Sequence, residues 1–265
     1  MRVYLDNAAT TQIAPEVIDY MSDLMRNDYA NPSSIHHGGR KSRIIIENAR
    51  KTVSGFLNTS PGNIFFTSGG TEADNMAIRC GILDNNITHA ITSSISHKAV
   101  IYPLEELKEK NHISLDYIKL DSNGRVDLNH LDTLLKNNDR TFVSIMHANN
   151  EIGTIQPIVE IGEICKKYNA VFHCDTVQTM AHYPIDLQKL NVDFITGSAH
   201  KFHGPKGVGF IYISDNINIK PFISGGSQER NMRAGTENVH SIAGLAKAME
   251  LSYLNMEKDK IYISE

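Results

Sequence analysis

Strand-like and helix-like patterns alternate along the chain from about residue 60 onward, and this alternation restricts the fold more than any other feature. Short runs of β-branched and aromatic residues predict strands at residues 64–67, 90–92, 115–120, 142–146, 171–173, 193–196 and 208–213. Strands separated by helices favour a mostly parallel sheet with helices on both faces and right-handed crossovers. The predicted fold class is therefore α/β, with a seven-stranded sheet.

Two of the intervening helices have clear start signals. Pro157 opens a helix whose residues Ile158, Ile161, Ile164 and Cys165 fall on one face. Asp127 precedes a leucine-rich helical pattern and is predicted to cap it. Residues 1–6 carry no signal-peptide pattern and are predicted to form a short strand.

Composition excludes several classes of protein. The chain has 265 residues and a net charge of −4, with 41% hydrophobic and 21% charged residues, which is typical of a globular protein. The weak acidity argues against nucleic-acid binding, and no apolar run is long enough to span a membrane. The cysteines, Cys80, Cys165 and Cys174, form no C-x-x-C pair, so a disulfide framework or a cysteine-rich zinc site is not expected. These features favour a cytoplasmic protein.

The residues that follow each strand are the candidates for function, because ligands of such sheets bind at the carboxyl ends of strands. The first strand is followed by Ser68-Gly69-Gly70-Thr71 and a helix start, which is a typical anion site. An ordinary glycine turn with a threonine cap explains this segment equally well. The G-K-[ST] ending of a nucleotide-binding P-loop is absent.

An aspartate and a lysine follow two later strands. Asp175 comes after the strand at 171–173, where burial would require a cationic partner, and Lys201 follows the strand at 193–196. A single lysine is more often a solvated surface residue. Together with the glycine loop, however, the two residues are the parts that hold pyridoxal phosphate. The lysine forms the Schiff base, the aspartate keeps the ring nitrogen protonated, and the loop takes the phosphate.

With these features the sequence resembles the class V aminotransferase family, and within it the cysteine desulfurases. The matching segments lie in the family's order at residues 4–11, 31–36, 66–75, 96–100, 146–153, 175–178, 198–207 and 233–236. The resemblance implies the large domain of a type I pyridoxal-phosphate enzyme at residues 15–256. It assigns residues 1–14 to a segment that packs with a small domain, and residues 257–265 to the start of a C-terminal part that is largely missing.

The resemblance implies a role for five residues around the cofactor ring and the substrate. Lys201 would carry the cofactor and later move the proton of the substrate Cα. His97 would stack on the ring and act in acid–base catalysis. Asp175 would pair with the ring nitrogen, while Gln178 and Asn150 would bind around the ring oxygen and the substrate.

A second set would hold the phosphate. The resemblance assigns Gly70, Thr71, Ser198 and His200 to this group within one chain. Thr236 would reach the phosphate of a neighbouring subunit, which implies a homodimer with shared sites. Arg233 would support Thr236 or the dimer contact. Asn7, Ala8 and His36 lie in segments that line the substrate side in the family, and no residue is assigned to a metal.

The family's reaction requires two further groups, a mobile cysteine that becomes a persulfide and an arginine that binds the substrate carboxylate. None of the three cysteines matches the persulfide position, so we expect a fragment of a longer desulfurase, a chain with a separately encoded partner segment, or a degenerate product. Pyridoxal 5′-phosphate is the expected cofactor and L-cysteine the expected substrate. The sulfur would pass to an acceptor or scaffold protein for iron–sulfur cluster or other sulfur-cofactor assembly.

Other functions remain open at this level. Another class V activity, an aminotransferase or a selenocysteine lyase, would use the same cofactor residues. A non-catalytic scaffold that docks sulfur acceptors would not need them. A nucleotide-binding domain would use the Gly69-Gly70 loop but would leave Lys201 and Asp175 without a role. For the chain alone, we expect cofactor binding without efficient persulfide formation.

Overall fold

One seven-stranded sheet organises residues 3–264, the part of the chain that the computed structural model describes. The strands are β1 (Ile64–Thr67), β2 (His89–Ser93), β3 (Ser114–Ile118), β4 (Thr141–Met146), β5 (Val171–Asp175), β6 (Phe194–Ser198) and β7 (Gly209–Ile213). Their order in the sheet is β1-β7-β6-β5-β4-β2-β3. Strand β7 runs antiparallel to its neighbours β1 and β6, and all other neighbouring strands are parallel. The mostly parallel seven-stranded sheet is therefore confirmed, with small shifts at the strand ends.

Seven α-helices surround the sheet in the described residues. They are α1 (Pro15–Asn27), α2 (His37–Phe56), α3 (Gly70–Leu83), α4 (Lys98–Glu109), α5 (Leu128–Asn137), α6 (Ile158–Lys167) and α7 (Val239–Ser264). The predicted helix starts at Asp127 and Pro157 are confirmed. The carboxylate of Asp127 accepts hydrogen bonds from the backbone N–H groups of Asn129 and His130, at 2.9 and 3.1 Å. Pro157 stands directly before α6.

The helices cover both faces of the sheet, because successive strand residues point to opposite sides. Phe142 and Phe194 pack with the buried faces of α3 and α4. Val143 and Ile195, their neighbours in sequence, belong to the larger core that α1, α2, α5, α6 and α7 complete. Cys165 and Cys174 are buried in this larger core, as expected for small apolar side chains.

The N-terminal segment differs from its prediction. The strand expected at residues 1–6 is wrong for residues 3–6, which form no strand, while Met1 and Arg2 lie outside the described residues. The chain instead crosses the loop after β6, where the N–H of Thr11 donates to the carbonyl of His200 at 2.8 Å. Val3, Tyr4 and Leu5 are exposed, and no strand of the described residues lies beside them. Their β-like composition therefore does not produce a sheet edge.

Two further observations concern the helices. Helix α7 runs without a break through the boundary predicted between residues 256 and 257. The division into residues 1–14, 15–256 and 257–265 stays a prediction. None of the helices within residues 3–264 combines the length and the apolar character needed to cross a lipid bilayer.

Candidate active site

A cavity of about 510 Å³ lies where the carboxyl ends of the central strands meet the first turn of α3. The residues predicted to bind the cofactor or to act in catalysis converge on it with one exception, Thr236. Those that line the cavity are Gly70, Thr71, His97, Asn150, Asp175, Gln178, Ser198, His200 and Lys201. The strand-end argument therefore located this cavity from the sequence.

One end of the cavity is built to receive an anion. Helix α3 begins at Gly70, and no side chain caps it at Gly69, whose φ of +155° excludes most other residues. The loop lies close to the sheet. A Cβ on Gly209 would come within 2.8 Å of the Gly69 Cα and 2.5 Å of the Gly197 carbonyl oxygen. Uncapped N–H groups, the helix dipole and the neighbouring hydroxyl of Ser198 favour a phosphate there.

Arg233 supports this end from outside the cavity. Its guanidinium binds the Glu72 carboxylate in the first turn of α3, with distances of 2.8 Å from Nε to Oε1 and 3.1 Å from Nη2 to Oε2. Glu72 also accepts the backbone N–H of Ser68 at 2.9 Å. Burial acts to raise the pKa of Glu72, but the hydrogen bonds from Arg233 and Ser68 outweigh it and lower the pKa. Thr236 is exposed in the following loop and lines a separate depression.

Asp175 is the buried carboxyl group of the cavity at the end of β5. It is only 6% exposed, and its Oδ1 accepts the backbone N–H of Val177 at 3.0 Å. Burial raises the pKa of Asp175 to about 7, and the nearby charge of Asp74 contributes to the increase. A protonated ring nitrogen would favour the ionised carboxylate, so this position suits a cationic heterocycle.

Asp74 was missed by the sequence analysis, although it lines the cavity. It lies one helical turn after Gly70 and is buried beneath the anion end. Its position four residues after the first residue of α3 is the signal that could have identified it, because residues i and i+4 share a helix face. Burial raises the pKa of its carboxyl to about 7.

Lys201 lines the same cavity from the short 3-10 turn Ala199–Lys201 that follows β6. Its amine donates hydrogen bonds to the backbone carbonyls of Ala8 and Ala9, the latter at 3.0 Å. Partial burial lowers the pKa of the amine, and the charges of Asp175 and Asp6 oppose this only in part. A depressed pKa increases the unprotonated, nucleophilic fraction at neutral pH. The solvated-surface alternative for Lys201 therefore does not apply.

The N-terminal segment closes over this lysine. The side-chain amide of Gln178 donates to the Ala8 carbonyl at 3.0 Å, and His200 Nδ1 lies 3.1 Å from the Thr10 hydroxyl. Burial, followed by the charges of Lys201 and Lys206, lowers the pKa of His200, which favours the neutral imidazole. Ala8 thus lines the cavity, as the resemblance implies.

The remaining predicted residues reach the cavity from two loops. His97 caps α4, with Nδ1 accepting the N–H of Ala99 at 3.1 Å, so it is a capping residue and a cavity residue at once. An accepting Nδ1 leaves Nε2 as the position for the proton. Asn150 follows β4 and lines the cavity. His36 caps α2 instead, and neither it nor Asn7 lines the cavity.

The cysteines contribute no reactive thiol to the cavity. Cys80, Cys165 and Cys174 are all buried, and none of them lines it. Burial raises the pKa of Cys80 to about 12, and it also raises the pKa values of Cys165 and Cys174. A thiol with a raised pKa carries little thiolate near neutral pH and is a poor nucleophile.

Comparison with known proteins identifies the family. The model of the family described as aminotransferase class V matches residues 3–265. The chain belongs to the class V aminotransferases. This result confirms the resemblance on which the site assignments were based.

Two relatives of this chain are named cysteine desulfurases. The chain is 48% identical over 260 residues to the cysteine desulfurase IscS of Dictyoglomus turgidum, and the match covers 97% of this chain and 65% of that protein. It is 46% identical to the cysteine desulfurase IscS of Methanosarcina thermophila, with coverage of 97% and 63%. The chain therefore spans a little less than two thirds of the length of these curated relatives.

Solved structures agree with this assignment. A NifS-like protein superposes with a TM-score of 0.93 at 42% identity, covering 97% of this chain and 71% of that one. A structure described as SspA in complex with cysteine gives a TM-score of 0.89 at 34% identity, with coverage of 94% and 72%. The type I large-domain fold is thereby confirmed.

Pyridoxal 5′-phosphate is the cofactor of this family, so the cofactor prediction is confirmed. The residues present fit this group. The uncapped start of α3 provides donors for a phosphate, Asp175 provides a buried acceptor for a protonated ring nitrogen, and the Lys201 amine lies in the same cavity.

Proposed function

We propose that this class V chain carries the cofactor-binding half of a cysteine desulfurase, which converts L-cysteine to L-alanine and passes the sulfur to a thiol. The observation that supports it best is the meeting of Lys201, Asp175 and the uncapped start of α3 in one cavity. The names of the relatives and the presence of cysteine in a neighbouring structure's description point to the substrate.

Two groups of cavity residues would position the cofactor for this reaction. Gly70, Thr71, Ser198 and His200 would bind the phosphate, and Asp175 would hold the proton of the ring nitrogen. The bound cofactor supplies an electron sink for charge that develops at the substrate Cα.

The groups above the ring would handle protons and orientation. Lys201 would bind the cofactor carbonyl through its amine and then move the proton of the substrate Cα. His97 would cover the ring and exchange a proton through Nε2, since its Nδ1 accepts the N–H of Ala99. Gln178 and Asn150 would orient the ring oxygen and the substrate.

The sulfur acceptor would come from a thiol other than the three cysteines of this chain. All three are buried away from the cavity, and burial raises their pKa values. Among residues 3–264, no arginine lines the cavity either. We therefore infer that both the acceptor thiol and the arginine for the substrate carboxylate come from outside the described residues. The transfer is balanced, because L-cysteine and a thiol yield L-alanine and a persulfide.

The working unit would be a cytoplasmic homodimer that supplies sulfur for iron–sulfur clusters or related cofactors. Thr236 supports the dimer, because it is exposed outside its own cavity in a loop that Arg233 ties to α3. We infer that it binds the phosphate in the neighbouring subunit. A sulfur-acceptor or scaffold protein would then receive the persulfide sulfur.

The reaction is tested by incubating the cofactor-loaded chain with L-cysteine and an excess of a small dithiol, which can take the sulfur. L-alanine and sulfide should form slowly, in equal amounts and only when Lys201 is intact. The matched control is Lys206→Ala, which removes an exposed lysine five residues away that does not line the cavity. After borohydride reduction, mass spectrometry should find the cofactor on the Lys201 peptide and no persulfide on Cys80, Cys165 or Cys174.

Two results would contradict the proposal. Formation of a keto acid in place of L-alanine would indicate an aminotransferase. Persulfide on one of the three buried cysteines would show that the acceptor belongs to this chain.

A further inference from the structure

A second buried carboxyl group accompanies Asp175 in the cavity. Asp74 is 2% exposed and projects from α3 toward the sheet, where the hydroxyl of Thr196 donates to its Oδ1 at 2.7 Å. Thr196 pairs directly with Asp175 in the register of β5 and β6. The two carboxyl groups therefore occupy adjacent positions in one low-dielectric region.

A buried histidine lies beside this pair. His173 is fully buried two residues before Asp175 on the same face of β5, and its Nδ1 lies 2.9 Å from the Ser144 hydroxyl. Its Nε2 has no hydrogen-bond partner in the described residues and lies 3.4 Å from Asp74 Oδ1. Burial lowers the pKa of His173 to about 4, so the ring does not neutralise the carboxyl groups near neutral pH.

Five other titratable groups line the cavity with the pair. His97 reaches it from the start of α4, and His200 and Lys201 reach it from the turn after β6. Glu151 lies in the loop after β4, and Asp6 enters from the N-terminal segment and faces Lys201. None of them forms a hydrogen bond with either carboxyl group, within the part of the chain described. Two carboxyl groups in such a region cannot both ionise without cost, which favours a state in which one of them keeps a proton.

We propose that Asp74 and Asp175 form a coupled carboxyl pair that holds one proton in the cofactor-free chain and releases it when the ring cation of pyridoxal phosphate binds. Asp74 is the positioning residue of the pair, because its charge keeps Asp175 protonated until the cofactor arrives. This inference rests on the proposed cofactor site and assigns a new residue to it.

The proton release is balanced. The O–H bond of the carboxyl pair breaks and its proton passes to water, because the ring nitrogen of pyridoxal phosphate already carries a proton near neutral pH. Before binding, the pair carries one negative charge. After binding, two carboxylates and one ring cation carry the same net charge, and the cation compensates the repulsion between the carboxylates.

The pair is tested first without cofactor, by carbon-detected NMR titration of the aspartate carboxyl groups in the full chain. Asp74→Asn keeps the shape and removes the charge, so the titration midpoint of Asp175 should fall by about one pH unit or more. Asp139→Asn is the matched control, since Asp139 is exposed and lies outside the cavity; it should leave that midpoint unchanged. Thr196→Val removes the donor to Asp74 and should raise the midpoint of Asp74.

The second test measures the protons released when pyridoxal phosphate binds, by calorimetry at pH 7 in buffers of different ionisation enthalpy. Asp74→Asn should release fewer protons per bound cofactor than the unmodified chain, by up to about one, because its Asp175 holds no proton to release. Equal Asp175 midpoints in Asp74→Asn and the unmodified chain would overturn the pair, whether or not cofactor binds. Equal proton release would overturn the release step. Failure of the unmodified chain to bind cofactor would instead refute the proposed function, while the carboxyl titration would still decide whether the pair is coupled.

Discussion

The substitution Glu229→Gln should destabilise the chain by about 3 kcal/mol, because it breaks a buried ion pair and leaves a charge behind. Glu229 is 3% exposed and binds Arg50, which is 1% exposed, through two hydrogen bonds of 2.8 and 3.0 Å. Its Oε2 also accepts the N–H of Phe66 at 2.9 Å. Removal of one partner from a buried pair costs about 3–5 kcal/mol. Glu47, 3.2 Å from the Arg50 guanidinium, compensates part of the remaining charge, so the lower value applies.

Backbone strain adds to the importance of this pair. Glu229, Arg230 and Asn231 have φ values of 43°, 55° and 67°, a left-handed run without glycine. Such conformations cost about 1–3 kcal/mol each and persist only where surrounding contacts hold them. The ion pair holds this run against the start of β1, and the run leads directly into Arg233 and Thr236. Loss of the pair should therefore loosen the loop that carries Thr236 as well as lower stability.

The assay is urea unfolding at one protein concentration, with the free energy of unfolding compared between variants. The control is Glu106→Gln, which breaks the half-exposed pair with Arg79 and should cost less than about 1 kcal/mol. The double variant Arg50→Met/Glu229→Leu removes both charges. Its loss in unfolding free energy should be smaller than the sum of the losses in Arg50→Met alone and Glu229→Leu alone. A loss below about 1 kcal/mol for Glu229→Gln, or full additivity in the double variant, would refute the reasoning.

Three further predictions concern the site and its supports. Gly209→Ala should weaken pyridoxal phosphate binding at least about tenfold by fluorescence titration, because its Cβ would lie 2.8 Å from the Gly69 Cα and push the Gly69-Gly70 loop away; Gly55→Ala, whose Cβ meets nothing within 4 Å, is the control, and equal affinity would contradict the role of the close approach. The pKa of Asp74 is raised to about 7, so the folded chain gains a proton and stability as pH falls from 7 to 4; Asp74→Asn loses this gain, and its deficit in unfolding free energy should be about 2 kcal/mol larger at pH 5 than at pH 8, whereas a deficit independent of pH would count against the raised pKa. Asp127→Ala should cost about 1 kcal/mol in urea unfolding through loss of the α5 cap, and an unchanged midpoint would show that the cap is replaced by water.

The sheet and the cavity were predictable because their determinants are local. Buried strands read as short apolar runs, and parallel strands bring their carboxyl ends to one edge, so Asp175 and Lys201 could be brought together without knowledge of any contact. The anion end followed from a glycine loop at a helix start. In each case the signal lies in adjacent residues of the sequence.

The features that were missed depend on long-range packing. Asp74 stands inside α3, and only the docking of that helix on Thr196 shows that it enters the cavity. Arg233 binds Glu72 across 161 positions of sequence, a pairing that no local pattern indicates. The strand predicted at residues 1–6 failed because β-forming composition needs a neighbouring strand, and residues 3–6 have none.

The central claim is that Lys201 is the amine that binds pyridoxal phosphate in this cavity, and a cofactor titration followed by visible absorbance tests it most directly. The unmodified chain and Lys206→Ala should develop the same saturable visible band. Lys201→Ala should develop none, although its anion end remains intact. Equal bands in Lys201→Ala and the unmodified chain, or no band in any of the three, would contradict the claim.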